Sequence, residues 1–329
     1  MKKRVYLFKS GYLRCQDSNL AYIVKDEKNY IPIIQTEIIY IFGNCTLNKS
    51  TIKILNDYNV KVYFFSYTGN YMGAFIPKRQ HIGKILLTQV ALYTKAEELL
   101  YYQKEIIYSS IINMLAVLKY YNKKRQICFN QIRELEVLAV KVNNLTCDAN
   151  NNLLILEARS KQIYYSSFND IIINKLFVFN GRSTYPPKDM VNAMMSYGYA
   201  LLYGIVETSL YTSNLSPELG IIHGISKLGN SLKYDIADIF KPVLIDRLIF
   251  RLINKKQIND NHFDTCNDAT YLNKNGCSLF IEEFETQLTT VITIKNRKLS
   301  YRSIINREIY NIEKSLQSNK KYKGYKMEW

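Results

Sequence analysis

Hydrophobic positions along this chain change period near residue 77. Before it, short apolar and β-branched runs recur at Val5–Phe8, Ala21–Val24, Ile33–Ile34, Ile38–Phe42, Val60–Phe65 and Tyr71–Phe75. Gly11, Asp26–Glu27, Gly43–Asn44 and Gly69–Asn70 punctuate them, and runs of this length between turn formers predict strands. Pro32 has no N–H to give a ladder, so the run after it is an edge strand or a strand start. One helix interrupts, from about Asn48 to Asp57, with Ile52, Ile54 and Leu55 apolar and Asn59 as its stop. The alternation is too weak to fix which strands pair. Ile76–Pro77–Lys78–Arg79 breaks the pattern and marks a domain boundary.

Beyond His81 the period is helical, first over residues 84–120 and then over 126–146. The polar interruption Cys147–Asn152 can cap a further helix, about 150–165, reading NNNLLILEARSKQIYY. Glu157 lies inside it among Leu153, Leu154, Leu156, Ile163 and Tyr164, near buried surface. The plain alternative is an exposed Glu157 paired with Lys161 at i,i+4. Pro186–Pro187 stops any helix, and Lys188–Asp189 opens a long one. Its small residues Ala193, Ser196, Ala200 and Gly204 form a stripe that permits close packing. Gly198 and Gly204 each cost roughly 1 kcal/mol against Ala, which points to a crowded central helix. Pro242, four residues after Asp238, implies a bend or restart. Residues 254–278 are polar and broken, while 279–294 and 299–317 resume amphipathic helices. The last 19 residues hold five lysines and two glutamates and read as a frayed basic tail. The pattern thus predicts an α+β chain of two domains: a β-rich domain over 1–80, a helical domain over 81–310 and a basic tail over 311–329.

The length of 329 residues suits about two domains with real cores. Charge changes the picture more. Lys and Arg number 44 against 28 acids, a net +16 with a pI near 9.3, which points to a polyanion: nucleic acid or an anionic membrane surface. A generally basic protein without such a partner is the plain alternative. No run reaches 18 apolar residues, and the nearest, Met190–Val206, carries Asn192, Ser196 and two glycines, so no membrane span is expected. The six cysteines are scattered without a C-x-x-C pair, which argues against a zinc ribbon. With a basic N-terminus that lacks a long apolar run, they fit a reducing cytoplasm. The 28 tyrosines, beside abundant Asn, Ile and Lys, read as codon bias rather than function. There is no P-loop and no dinucleotide fingerprint.

Candidate chemistry concentrates in residues 221–241, IIHGISKLGNSLKYDIADIFK. His223 is one of three histidines. It ends an apolar run, and a polar loop separates it from a helix with Asp235 and Asp238 in its first turns. Three apart, those acids share a helical face. Imidazole and carboxylate at a helix junction suit a divalent metal. The plain alternative is acids that offset a helix dipole.

Four segments read together resemble the CRISPR-associated protein 1 family, the integrases of spacer acquisition. They are Leu156–Glu157–Ala158–Arg159, Pro186–Pro187–Lys188–Asp189 with its long helix, Gly220–Ile221–Ile222–His223, and Tyr234–Asp235–Ile236–Ala237–Asp238. The N-terminal IFGNCTLNKS and YFFSYTGNYMGAF are also similar to that family, so the likeness spans essentially the whole chain. It implies a small N-terminal β-sandwich-like domain followed by a larger all-α catalytic domain, a homodimer, and a complex with CRISPR-associated protein 2. Its implied metal ligands are Glu157, His223 and Asp238. Asp235 would lie beside the ion, and Lys241 would be the basic residue after the last ligand. Tyr185 and Tyr203 would flank the site, and Arg182 and Lys188 suit phosphate contact or, alternatively, salt bridging on a solvated face. Ala158 stands where the family usually has Gly. Two carboxylates and a neutral imidazole suit Mg²⁺ or Mn²⁺. The implied activity is a metal-dependent DNA endonuclease and integrase that acts on protospacer and CRISPR repeat DNA. A non-catalytic DNA-binding scaffold and a general nuclease outside CRISPR adaptation are the rivals.

Overall fold

The computed structural model describes residues 3–17, 19–66, 71–77, 83–146, 153–225, 229–294, 296–318 and 320–327. The expected turn at Gly69–Asn70, the boundary residues Lys78–Arg79 and the cap over Cys147–Asn152 lie outside them. The chain divides into two compact units, Met1–His81 and Ile82–Trp329.

In the first unit, strands β1 (Lys3–Leu7), β2 (Gly11–Gln16), β3 (Asn19–Val24), β4 (Glu27–Ile31), β5 (Thr36–Ile41), β6 (Cys45–Leu47), β7 (Lys61–Phe65) and β8 (Tyr71–Phe75) surround one helix, α1 (Lys49–Asp57). They form two four-stranded sheets, ordered β1-β5-β7-β8 and β4-β3-β2-β6. Leu7, Ile39, Ile41 and Val62 from the first sheet share a core with Leu13, Leu20, Tyr22 and Ile31 from the second, and with Ile54 and Leu55 of α1. The β-rich unit is therefore a sandwich.

Pairing shows why alternation was weak. β5 runs parallel to both β1 and β7. A strand covered on both faces loses the apolar–polar alternation of a half-exposed one. Ile39 and Ile41 point to the shared core, while Tyr40, only 1% exposed, stacks between Tyr6 and Tyr63 with centroids 4.8 and 5.7 Å away. Three expectations need correction. Gly11 begins a strand instead of ending one, and β4 and β6 were not expected. Ile33–Ile34 belongs to a single 3₁₀ turn, Ile33–Gln35, rather than to a strand. Asn48 caps α1, accepting from Thr51 N at 2.9 Å, where the helix was expected to start.

The second unit contains helices α2 (Gly83–Leu92), α3 (Ala96–Arg125), α4 (Phe129–Asn143), α5 (Leu153–Ser166), α6 (Phe168–Ile171), α7 (Met190–Tyr211), α8 (Leu232–Phe240) and α9 (Arg247–Asn254), then α10 (Lys274–Thr289) and α11 (Tyr301–Gln317). Two short antiparallel hairpins interrupt it: β9 (Phe263–Cys266) with β10 (Ala269–Leu272), and β11 (Val291–Ile294) with β12 (Arg297–Ser300). The expected helix over 279–294 thus starts earlier and stops at Thr289, where β-branched Val291, Ile292 and Ile294 favour a ribbon.

Helix α7 is buried along nearly its whole length. Asp189 caps it, accepting from Asn192 N at 2.8 Å. A Cβ on Gly198 would lie 2.6 Å from Ile245 Cγ2 and 2.8 Å from Phe280 Cζ, so neighbours pack on its bare backbone. Gly198 therefore serves close approach, and that packing offsets the weak helix propensity of glycine.

The C-terminal segment corrects the expectation of a frayed tail from residue 311. Helix α11 runs on to Gln317, and beyond it Tyr322, Tyr325 and Met327 are buried. The Tyr322 hydroxyl donates to the Glu308 carboxylate, Tyr325 N donates to the same oxygen at 3.1 Å, and Lys326 pairs with Glu105 at 3.3 Å. Burial pushes the Glu308 carboxyl up to about 7. Met327 N donates to Asn113 Oδ1 at 2.7 Å, and Tyr325 stacks on Phe240 at 5.4 Å. Aromatic burial wins because the interleaved lysines can keep their charged heads in water or in ion pairs.

Candidate active site

Helix α8 carries Asp235 and Asp238, and Pro242 decides how the chain continues beyond it. In α-helical register the N–H of residue 242 would bond the carbonyl of Asp238, and proline has none to give. Ser110 of α3 donates to that carbonyl instead, at 2.9 Å, and Asn113 Nδ2 donates to the next one, Ile239 O, at 2.7 Å. The chain does not break. It widens into a π-helical segment, Lys241–Asp246, and continues as α9. The bend expected at Pro242 is this π segment, a feature that recurs at functional sites.

The loop before α8 is clamped from two sides. Gln89 Nε2 donates to Ser216 O and Leu219 O at 3.0 and 3.2 Å, and Gln103 Nε2 donates to Ile221 O at 2.9 Å. Gly220 is needed there, because a Cβ would meet Ser231 Oγ at 2.6 Å and Gly224 O at 2.8 Å. From the other side Asp235, fully buried, accepts from the backbone N–H of Ile221 at 2.5 Å, Ile222 at 3.1 Å and His223 at 3.2 Å. Its Oδ1 also lies 2.5 Å from His223 Nδ1. This hydrogen bond raises the His223 pKa above its ordinary value. Burial opposes the shift, and the charges of Asp235, Asp238 and Glu157 reinforce it. Asp235 thus spends its carboxylate on the loop and on the orientation of the imidazole. The Nδ1 bond leaves Nε2 as the second ring nitrogen, the arrangement usual for a histidine that binds a metal.

Glu157 sits on α5 and does pair with Lys161 at i,i+4, with Nζ 2.6 Å from Oε1. The pair is not confined to the helix. The same Nζ lies 2.8 Å from Asp238 Oδ2, joining two carboxylates that are distant in sequence. Asp238 is 5% exposed and its other oxygen accepts from Lys241. Burial alone would raise the Asp238 pKa, but Lys241 and Lys161 hold the group well below the usual carboxylate range. Both lysines are held charged in return: burial would lower them, and Asp238 raises them. The ammonium of Lys241 also lies over the rings of Tyr199 and Tyr203, at 4.8 and 4.9 Å. Tyr203 meets Tyr234 edge-on at 4.8 Å, and Tyr234 reaches the His223 ring at 6.0 Å. An aromatic wall therefore links the lysine to the imidazole.

Other expected residues divide. The guanidinium of Arg182 donates to Asn192 Oδ1 at 2.9 Å and to Ser196 Oγ at 3.2 Å, and lies 5.6 Å from the centre of the Tyr199 ring. It is part of the packed support of the site rather than a solvated ion pair. Tyr185 is 90% exposed, and Lys188 is anchored through its backbone N–H to Ser183 Oγ at 3.0 Å. Neither is drawn into the carboxylate cluster. Among the described residues no three His, Cys, Asp or Glu side chains close on one point as a finished metal cluster. What stands between Glu157 and Asp238 is an ammonium. Sequence reading assigned no role at the site to Lys161 or to Asp246, which accepts from Tyr199 at 2.7 Å and which burial raises to about 7. For Lys161 the i,i+4 spacing was a signal, while nothing in the sequence linked it to Asp238.

Comparison with known proteins agrees with this frame. A family model described as CRISPR associated protein Cas1 matches residues 5–286. The CRISPR-associated endonuclease Cas1 2 of Thermodesulfovibrio yellowstonii is 31% identical over 333 residues, spanning all of both chains. The structure of a Cas1 protein from Thermotoga maritima superposes with a TM-score of 0.87 at 30% identity, over 98% of this chain and all of that one. A casposase bound to integration product has the same fold, with a TM-score of 0.86 over all of this chain and 95% of that one, at 19% identity. The family match runs through both units and takes in α5 and α8, which carry the carboxylate cluster, and α7, which carries the tyrosines over Lys241, so the chain belongs to the Cas1 family of CRISPR-associated proteins.

Proposed function

We propose that this chain is a divalent-metal-dependent DNA endonuclease and integrase, which inserts new spacers into a CRISPR array by strand transfer of DNA 3′-hydroxyls. The observation that carries the reading is the meeting of Glu157 and Asp238, from helices far apart in sequence, on one cation. His223, which feels the charge of both, completes a donor set of two carboxylates and one imidazole. That set fits Mg²⁺ or Mn²⁺. An ion held there supplies positive charge that stabilises a phosphodiester under attack. Asp235 keeps the imidazole in one orientation, and Lys241, fixed by Asp238 and two tyrosine faces, offers a second positive charge to the developing phosphorane. Water as the attacking group cuts DNA and a 3′-hydroxyl joins it. Both are displacements at phosphorus, so one site serves both.

The net charge of +16 suits the backbone of protospacer and repeat DNA. CRISPR-associated protein 2 is the proposed protein partner, in line with the family. A homodimer through the β-rich unit would cover outer strands such as β4, whose residues 27–30 are exposed, and light scattering at micromolar concentration tests it. No helix among the described residues is long and apolar enough to cross a membrane.

The deciding experiment incubates the protein with protospacer DNA and a repeat-bearing plasmid, with and without metal. Glu157→Ala and His223→Ala should each lower metal-dependent cutting and joining by about 100-fold or more, while DNA binding survives. Full strand transfer by both variants in Mn²⁺ would overturn the assignment of Glu157 and His223, and a wild-type protein that binds DNA but neither cuts nor joins it with either metal would put a DNA-binding scaffold ahead of the catalytic reading.

A further inference from the structure

Lys161 takes no part in the proposed reaction, yet it occupies the centre of the cluster. Its Nζ lies 2.6 Å from Glu157 Oε1 and 2.8 Å from Asp238 Oδ2. Metal–oxygen distances for Mg²⁺ are roughly 2.0–2.1 Å, so an ion bound by the same two oxygens needs the space this ammonium fills. Charge leads to the same conclusion. Glu157 and Asp238 are balanced by Lys161 and Lys241, so the seated ammonium cancels negative charge that would otherwise attract a divalent ion. Removing Lys161 makes the site more negative by one charge.

The geometry points to Lys161 as a built-in counter-ion, seated between Glu157 and Asp238, that a divalent ion must displace in order to bind. The inference rests on the proposed metal site and adds to it a residue that sets metal affinity. Displacement is mechanically simple. The lysine stem is long and unbranched, and its side chain is 27% exposed against 5% for Asp238. The ammonium can swing toward solvent without moving α8, whose backbone is held by Ser110 and Asn113, or α5, which is seated by buried Leu153, Ile163 and Tyr164. While seated it keeps two like charges together, so the ligands stay near each other before any metal arrives. Once displaced it lacks a partner, and a DNA phosphate at the site is the natural replacement. Metal and DNA binding are therefore coupled, each favouring the other through this one side chain.

Mn²⁺ alone, followed by electron paramagnetic resonance, tests the idea without reference to activity. Relative to wild type, Lys161→Met should bind Mn²⁺ about ten-fold more tightly in the absence of DNA, and Lys161→Arg, which keeps a cation, should not. Adding DNA should tighten Mn²⁺ binding in the wild type and much less in Lys161→Met. Lys161→Gln repeats the measurement if Lys161→Met fails to fold by circular dichroism. Unchanged or weaker Mn²⁺ affinity in Lys161→Met and Lys161→Gln, with Glu157→Gln still abolishing binding, overturns the counter-ion role and leaves the metal site intact. No Mn²⁺ binding by any of these proteins, with or without DNA, overturns both.

Discussion

Asp235 and Asp238 show how little spacing says about duty. Three residues apart on α8, both are buried and both are charged-group acceptors. Asp235 turns to the 221–223 backbone and to His223 Nδ1, and Asp238 turns to two lysines. Asp235 therefore acts on an ion only through the imidazole it orients. Partners of this kind typically change metal affinity by about 10–100-fold when removed. Asp235→Asn should weaken Mn²⁺ binding within that range, and strand transfer should fall with it, although Glu157 and Asp238 are untouched. An Asp235→Asn protein that binds Mn²⁺ as tightly as wild type would show that His223 needs no such orientation. Helical period placed these acids on one face, and only packing of the loop against α8 could tell which acid met which partner.

At the scale of elements, the junction of α8 with its π segment is where local chemistry and tertiary contact are hardest to separate. Pro242 deprives the Asp238 carbonyl of its helical donor, and the Ser110 hydroxyl replaces it. A buried carbonyl left without a donor costs about 1–3 kcal/mol. Ser110→Ala should lower unfolding free energy by that amount in urea titration. Pro242→Ala restores a backbone N–H, so in that background Ser110→Ala should cost clearly less. An equal cost in both backgrounds would mean that Ser110 does not stand in for the missing N–H. A break at Pro242 was legible in the sequence. Its repair by a serine more than a hundred residues earlier was not, because hydrogen-bond donors are recruited by proximity rather than by spacing. The same holds for the C-terminal strap, where five lysines suggested fraying and buried Tyr322 and Tyr325 prevent it.

For the whole molecule the charge excess is the governing quantity. Ion pairs such as Lys119 with Glu136, at 2.6 Å, and Arg251 with Glu283, at 2.6 Å, neutralise part of the basic surface. Across the chain the cations still exceed the acids, 44 to 28. DNA held through phosphates should lose affinity on the order of a thousand-fold between 50 and 200 mM salt if six or more contacts form. Protospacers of unrelated sequence should follow the same curve. A flat salt profile, measured by fluorescence anisotropy, would point to base readout in place of backbone contact.

By itself the sequence determined the division of the chain and the chemistry available to it. The change from short β-branched runs to a helical period separates a sandwich from a helical unit, because side-chain direction repeats every two residues in a strand and every 3.6 in a helix. The order of Glu157, His223, Asp235 and Asp238 within their motifs carried the family likeness, and the charge carried the expectation of DNA. Tertiary structure alone decided the parallel pairing of β1, β5 and β7, since a strand buried on both faces has no alternation to read. It also decided that Tyr185 and Lys188 stand apart from the carboxylate cluster while Arg182 is packed into its support. Finally, it placed the ammonium of Lys161 between two carboxylates from separate helices. A sequence states which charges exist, and only packing brings them within a few ångströms of one another in a buried setting, where their interaction is strong enough to matter.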